Sequence, residues 1–371
     1  MLAALDLITR VTAIVPRGSR GKPIGKETIR RILVIEPKNI GDVVLTLPFL
    51  AQLRALCPDA QITLLANPFA RQLLAGTDLV DEFFDTDLGW SERATRYNPL
   101  AYNWRELSRL RRELPRGRYD LAFKCCMHIR EHIVIGLSGA RRRIAYAFGL
   151  GDSVLTDRVP VLDPNRHKVA DWLELAAQIA PPVQAAPARL LVSQSEREWA
   201  AEYLSSRGIE STCTLVGIHP GASIPAKQWP LSRFHEVALT LAQRKDTRVL
   251  AFVDPAGYGA SLGEIEGVAT AQVSLRQLMA LIEQCGSLIC NDSGPMHIAG
   301  ALGVPTVAVF GSGIEQWFSP LGEGHHLLTV EKSGSKTADH FGGPVKPYDI
   351  TGITTGQVLD AVDAVLGANR S

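Results

Sequence analysis

Apolar residues along this chain fall into two alternating patterns. Ile32–Ile35, Ile62–Leu65, Leu121–Lys124, Thr214–Ile218, Val249–Phe252, Leu288–Cys290 and Thr306–Phe310 are short, nearly continuous apolar runs. Such runs fit strands covered on both faces, as in a parallel sheet. Glu82–Asp85 and Ile144–Tyr146 read as further strands. Between them the apolar positions recur with helical spacing over Val43–Leu56, Phe69–Ala75, Trp104–Glu113, Val169–Ile179, Gln194–Arg207, Leu231–Arg244 and Leu275–Gln284. A helix ending at Leu302 is stopped by Gly303, and Thr355–Leu366 closes the chain. Strand and helix in alternation predict parallel βαβ units, hence an α/β fold.

With 371 residues the chain exceeds one ordinary hydrophobic core. Pro181, Pro182 and Pro187 mark a linker. The expected divisions are an N-terminal extension (1–30), a first domain (31–182), a second domain (190–352) and a C-terminal helix (353–371). Residues 332–352 are rich in Gly, Lys, Ser and Pro and read as an exposed loop. A composition of 46% hydrophobic and 21% charged residues is that of a soluble globular protein. The formal net charge of +1 gives no global attraction to nucleic acid, which is not expected as a partner. Of six cysteines none forms a C-x-x-C pair, which points to free thiols in a reducing, cytoplasmic compartment. No apolar run approaches the ~18–20 residues of a membrane span. Asp6 and Arg10 interrupt the first apolar stretch, unlike a signal peptide. Leu2, Leu5, Ile8, Val11 and Val15 recur at near-helical spacing ahead of Arg17, Arg20, Lys22, Lys26, Arg30 and Arg31. That segment reads either as a packed helix with a solvated linker or as an amphipathic stretch resting on an anionic membrane surface.

Two strand-to-helix junctions carry most of the candidate chemistry. The first, Glu36-Pro-Lys-Asn-Ile-Gly-Asp42, places a glycine that permits a tight turn (Gly41) before a carboxylate (Asp42) at a helix start. Asp42 fits a helix cap and equally a base able to take a proton from a hydroxyl. The second, Asn291-Asp-Ser-Gly-Pro-Met-His297, opens a helix with Asp292, Ser293 and Gly294, and sets His297 one turn in. Free N–H groups at a helix start favour an anionic group such as phosphate. Ser293 also fits a plain N-cap, and His297 a packed histidine. Between the two lies His219-Pro-Gly-Ala-Ser-Ile-Pro-Ala-Lys-Gln-Trp-Pro230, an irregular loop offering Ser223 and Lys227, with Trp229 and Pro230 to pin it. Lys227 is a compact positive charge suited to a diphosphate.

In order and spacing these blocks resemble glycosyltransferase family 9, the ADP-heptose:lipopolysaccharide heptosyltransferases. The matching stretches are Ile-Gly-Asp-x(4)-Leu-Pro, Pro-Gly-Ala-x(4)-Lys-x-Trp-Pro, and Asn-Asp-Ser-Gly-x-Met-His with its Ala-Gly-Ala-Leu-Gly tail, extended by Val309-Phe-Gly311. The resemblance spans about residues 31–320 and implies a GT-B architecture: two Rossmann-like domains with parallel sheets facing across a cleft. It implies an inverting, metal-independent transfer of heptose from a nucleotide-sugar donor, ADP-heptose, to an anionic lipid-linked glycan, the lipopolysaccharide inner core. The donor is then a substrate, and no cofactor is implied. The inner-membrane surface becomes a candidate partner for the basic extension.

By the same resemblance Asp42 is the general base. Ser223 and Lys227 hold the diphosphate, Asp292 binds sugar hydroxyls, and Ser293, Gly294 and His297 line the sugar-diphosphate site. Asp254 is the candidate for gripping the ribose. Arg130 and Arg143 fall in a stretch resembling the acceptor side. The cluster Arg105, Arg109, Arg111, Arg112, Arg116 and Arg118 reads equally as an anion site and as a solvated helix face. Asp85-Thr-Asp87 forms a D-x-D pair, a metal-binding signature of another glycosyltransferase architecture, but it lacks a supporting ligand set and no metal is expected. Three rivals remain. The first is a same-fold transferase for another nucleotide sugar or glycan; the second is a non-catalytic sugar-nucleotide-binding protein. The third is a nicotinamide dehydrogenase, disfavoured because no G-x-G-x-x-G follows the first strand.

Overall fold

The computed structural model describes residues 25–89, 102–114, 118–124, 130–147, 151–161, 163, 165–185, 188–311, 314–330 and 349–368; for Lys26 and Arg130 it describes the backbone alone. Nearly all of the N-terminal extension, the 332–348 part of the predicted loop, Arg116, Cys125 and Cys126 lie outside these residues. The chain divides into two compact units, Met1–Ala188 and Arg189–Ser371.

The first unit is built on a six-stranded sheet of β1 (Arg31–Glu36), β2 (Gln61–Ala66), β3 (Glu82–Asp85), β4 (Leu121–Lys124), β5 (Arg142–Tyr146) and β6 (Asp157–Val159). Every neighbouring pair is parallel, in the order β3-β2-β1-β4-β5-β6. The chain builds outward from β1 to β3, then returns to the other side of β1 and builds outward again. The reversal between β1 and β4 is a topological switch point, and in such sheets ligands bind beyond the strands' carboxyl ends there. Ile32, Leu33, Val34 and Ile35 have no exposed surface, which explains why β1 shows no polar alternation. The helices described are α1 (Ile40–Leu45), α2 (Leu47–Leu56), α3 (Phe69–Leu73), α4 (Trp104–Glu113), α5 (Arg130–Leu137) and α6 (Lys168–Ala176).

The single helix expected over Val43–Leu56 is two. The break falls at Thr46, whose hydroxyl donates to the Val43 carbonyl at 2.7 Å. Pro48 has no N–H to continue the ladder and opens α2 within its first turn. The first of the two helices starts earlier than its apolar pattern, at Ile40, so Gly41 and Asp42 lie inside its first turn.

The second unit repeats the plan. Its strands are β7 (Thr214–His219), β8 (Thr247–Phe252), β9 (Val268–Ala271), β10 (Ser287–Asn291), β11 (Thr306–Phe310) and β12 (His326–Thr329), all parallel, in the order β12-β11-β10-β7-β8-β9. The switch point is between β7 and β10. The helices are α7 (Gln194–Ser205), α8 (Leu231–Ala242), α9 (Leu275–Glu283), α10 (Gly294–Leu302), α11 (Glu315–Phe318) and α12 (Thr355–Ala368). The core is centred on β7, β8 and β11 with α8 and α12 packed against them. Trp229 is fully buried in it, edge-on to Phe234 at 5.0 Å, its indole N–H donating to the Ile353 carbonyl at 3.0 Å. β6, β9, β12, α5 and α11 were not anticipated. They are short, and β9 (Val-Ala-Thr-Ala) and β12 (His-Leu-Leu-Thr) lack the apolar density of the central strands.

Candidate active site

Each unit presents a polar cluster at the carboxyl edge of its switch point. In the first, Asp42 is the third residue of α1, not its cap. Asn39 is the cap, and the Asp42 carboxylate accepts the Asn39 backbone N–H at 3.4 Å. The loop between β1 and α1 is held by Asn67, whose amide donates to the carbonyls of Lys38 (2.7 Å) and Pro37 (3.3 Å). Asp42 itself is half-buried.

Behind it lies a set of buried charges. Register pairs Ile35 with Lys124, so Glu36 and Lys124 end neighbouring strands. The Lys124 side chain has no exposed surface and bonds His132 Nδ1 at 3.0 Å. With the ammonium as donor, the imidazole proton sits on Nε2, 3.4 Å from Asp152 Oδ1. Glu131, fully buried in the first turn of α5, has Lys38 Nζ at 3.8 Å and Lys124 Nζ at 4.0 Å. Burial pushes the Glu36 carboxyl well above its ordinary range. The Asp42 and Glu131 carboxylates add to this, and Lys38 and Lys124 oppose it.

That shift has a measurable sign. The folded protein keeps a proton on Glu36 that the unfolded chain releases. Its contribution to stability is therefore full below the ordinary carboxylate range and is lost as pH rises through the folded value. A Glu36→Gln variant, which cannot ionise, is expected to match the parent in urea unfolding at pH 4 and to be more stable than it at pH 8.

In the second unit, β7 ends at His219 beside Cys290 of β10. Burial pushes the His219 imidazole down to about 4, with Asp254 pulling the other way, so the ring is neutral at pH 7. The loop from Pro220 to Trp229 is closed by one side chain. Asn291, fully buried, donates to the Pro220 carbonyl at 2.7 Å and accepts the Trp229 backbone N–H at 3.0 Å. A Cβ on Gly311, at the end of β11, would lie 2.7 Å from the Ala226 carbonyl oxygen, so a glycine is needed for the loop to lie there. Held this way, the loop delivers Lys227 Nζ to within 2.5 Å of Asp292 Oδ2. Ser293 is the N-cap of α10 but makes no cap bond, and its buried Oγ has no partner among the described residues. Gly294 opens α10, and His297 is buried one turn in. Ser223 is exposed on the loop. Asp254, past the end of β8, uses Oδ1 to accept the N–H groups of Ala256 and Tyr258, both at 2.9 Å.

The sequence profile of glycosyltransferase family 9 (heptosyltransferase) matches residues 107–340, more than half of the chain. The chain belongs to glycosyltransferase family 9. It is 26% identical to lipopolysaccharide heptosyltransferase 2 of Escherichia coli K12 over 356 residues, 91% of this chain and 98% of that protein. Among solved structures, a family 9 glycosyltransferase from Veillonella parvula superposes with a TM-score of 0.75 at 24% identity, covering 93% of this chain and 99% of that one. The E. coli ADP-heptose lipopolysaccharide heptosyltransferase II gives 0.68 at 24% identity, covering 92% and 100%. These likenesses show the fold, two Rossmann-like α/β units of the GT-B class. As a family 9 member the protein is a glycosyltransferase.

Two groups of arginines differ in how the fold uses them. Arg143, expected to reach an acceptor, turns inward: it is 4% exposed, and its guanidinium donates to the carbonyls of Val154 and Ala140, both at 2.5 Å. Its fork is spent on main-chain oxygens of its own unit, so in this structure it does not reach out toward an acceptor. Arg130 opens α5, and its side chain lies outside the described residues. On α4, Arg109 is tied to Glu106, Glu113 and the Asp85 carbonyl and lies over the Phe84 ring, whereas Arg105, Arg111 and Arg112 are exposed. Of the D-x-D pair, Asp85 meets Arg71 at 3.2 Å and Asp87 accepts the Gly89 N–H.

The residues that sequence reasoning missed are Glu36, Lys38, Lys124, Glu131, His132 and Asp152 in the first unit and Asn291 in the second. A charged residue directly after a solid apolar strand, as in Leu-Val-Ile-Glu36 and Leu-Ala-Phe-Lys124, was the available signal. No helix among the described residues is long and apolar enough to cross a membrane.

Proposed function

We propose that this family 9 enzyme transfers heptose from ADP-heptose to an anionic, lipid-linked inner-core glycan, inverting the anomeric carbon, with neither metal ion nor cofactor. Asp42 takes the proton of the acceptor hydroxyl. The acceptor oxygen bonds to the anomeric carbon as its bond to the diphosphate oxygen breaks, and ADP leaves with the electron pair. Ser223, Lys227 and the start of α10 hold the diphosphate and offset its charge. Asp292 takes sugar hydroxyls, Ser293, Gly294 and His297 line that site, and Asp254 grips the ribose through the oxygen its own loop leaves over. The acceptor binds on the first unit, with the 1–30 extension on the cytoplasmic face of the inner membrane.

The observation that carries this reading is the convergence at one switch point of Lys227, Asp292 and the Ser293 hydroxyl, which has no partner among the described residues. A cation, a hydroxyl and a helix N-terminus suit a phosphate, and a carboxylate beside them suits a polyol. The coverage of heptosyltransferase 2 relatives along almost their whole length supports the substrate class. The test is a thermal-shift panel of nucleotide sugars and NAD, followed by mass spectrometry of a heptose-deficient inner-core acceptor. Stabilisation by ADP-heptose and an acceptor mass gain of one heptose are expected. Stabilisation by a different nucleotide sugar alone moves the donor assignment, and stabilisation by NAD rejects it.

A further inference from the structure

The ion pair between Lys227 and Asp292 poses a problem for a bare nucleoside diphosphate. The Asp292 side chain is 4% exposed and that of Lys227 21%. A carboxylate so little hydrated depends on its partner, and leaving it unpaired is costly. A diphosphate seated on Lys227 competes for that ammonium and brings further negative charge beside the carboxylate. Asn291 holds both ends of the loop and Trp229 is locked in the core, so displacing the whole loop to relieve this would break those bonds.

From this we infer, resting on the donor site proposed above, that Asp292 discriminates the intact nucleotide sugar from the spent nucleoside diphosphate. Sugar hydroxyls donate hydrogen bonds to Asp292 and replace the ammonium, so Lys227 serves the diphosphate at little cost. Once the sugar has left with the acceptor, Asp292 has lost those donors. It reclaims Lys227, and the diphosphate is released. The same pair thus selects for a donor that carries a polyol and assists departure of the product.

The test is calorimetric titration of the full-length protein with ADP and with ADP-heptose. The parent is expected to bind ADP-heptose more tightly than ADP. Asp292→Asn, which keeps the shape but not the charge, is expected to bind ADP roughly tenfold more tightly, to bind ADP-heptose no better, and to be inhibited by ADP at correspondingly lower concentration. A merely structural Asp292 would weaken both ligands together, and unchanged or weaker ADP binding in Asp292→Asn overturns the inference. Should that variant fold poorly, the parent alone decides: equal affinity for ADP and ADP-heptose overturns it too. Lys227→Ala in the Asp292→Asn background, where no carboxylate is left unpaired, separates the two levels of the argument. Loss of ADP binding there upholds the diphosphate site whatever Asp292 does, and unchanged ADP binding rejects that site itself.

Discussion

Asp42→Asn is expected to lower kcat by about 10²–10⁴-fold, the usual contribution of a positioned general base, while leaving the dissociation constant of ADP-heptose unchanged. The asparagine keeps an oxygen where the carboxylate accepts the Asn39 N–H, so the first turn of α1 retains its bond. Unfolding midpoints at pH 4, where Glu36 keeps its proton in either protein, should therefore coincide for parent and variant. Asp42→Ala removes the acceptor as well and should add a stability loss of about 1 kcal/mol, the scale of a helix-capping interaction. Comparing the two separates the chemical role from the capping role. Steady-state rates at saturating donor and acceptor decide the matter, and a parental kcat in Asp42→Asn would remove Asp42 from the reaction.

Lys124→Met is expected to destabilise the first unit by about 3–5 kcal/mol, the range for removing one member of a buried ion pair. The methionine fills much of the same volume, so the loss is electrostatic. Among the described residues Glu131, fully buried, then keeps only Lys38, at 3.8 Å, and His132 Nδ1 loses the Lys124 ammonium. For a unit of this size the midpoint should fall by roughly 10 °C. Adding Glu131→Gln should restore part of the loss, because the double variant no longer buries a carboxylate that has lost one of its two cations; contacting residues typically couple by ~0.5–3 kcal/mol. Urea unfolding of the four proteins measures that coupling, and strictly additive losses would show that the two charges do not support each other.

The contrast between these two residues marks what the sequence makes legible. Strands buried on both faces are written as apolar runs, so Leu121–Lys124 and Thr306–Phe310 are read to their ends. Asp42, Lys227 and Asp292 stand out as candidates because each lies in a segment directly after an apolar strand, where glycine, carboxylate and hydroxyl follow in local order. The environment of Lys124 is not local. It depends on β4 lying beside β1 in one register and on the first turn of α5 reaching back to it, which are properties of topology. Arg143 misleads for a related reason: arginine is ordinarily exposed, and nothing in the order of residues shows that the carbonyls of Val154 and Ala140 will be within its reach. Thr46 shows the limit of periodicity, since the apolar spacing runs straight through a break that Pro48 imposes.

Each unit is one uninterrupted stretch of chain, meeting the other at Ala188 and Arg189. A single recombination joint there is enough to exchange a whole half between family members. On the proposed division, donor in the second half and acceptor in the first, such chimaeras are expected to inherit their two specificities from different parents.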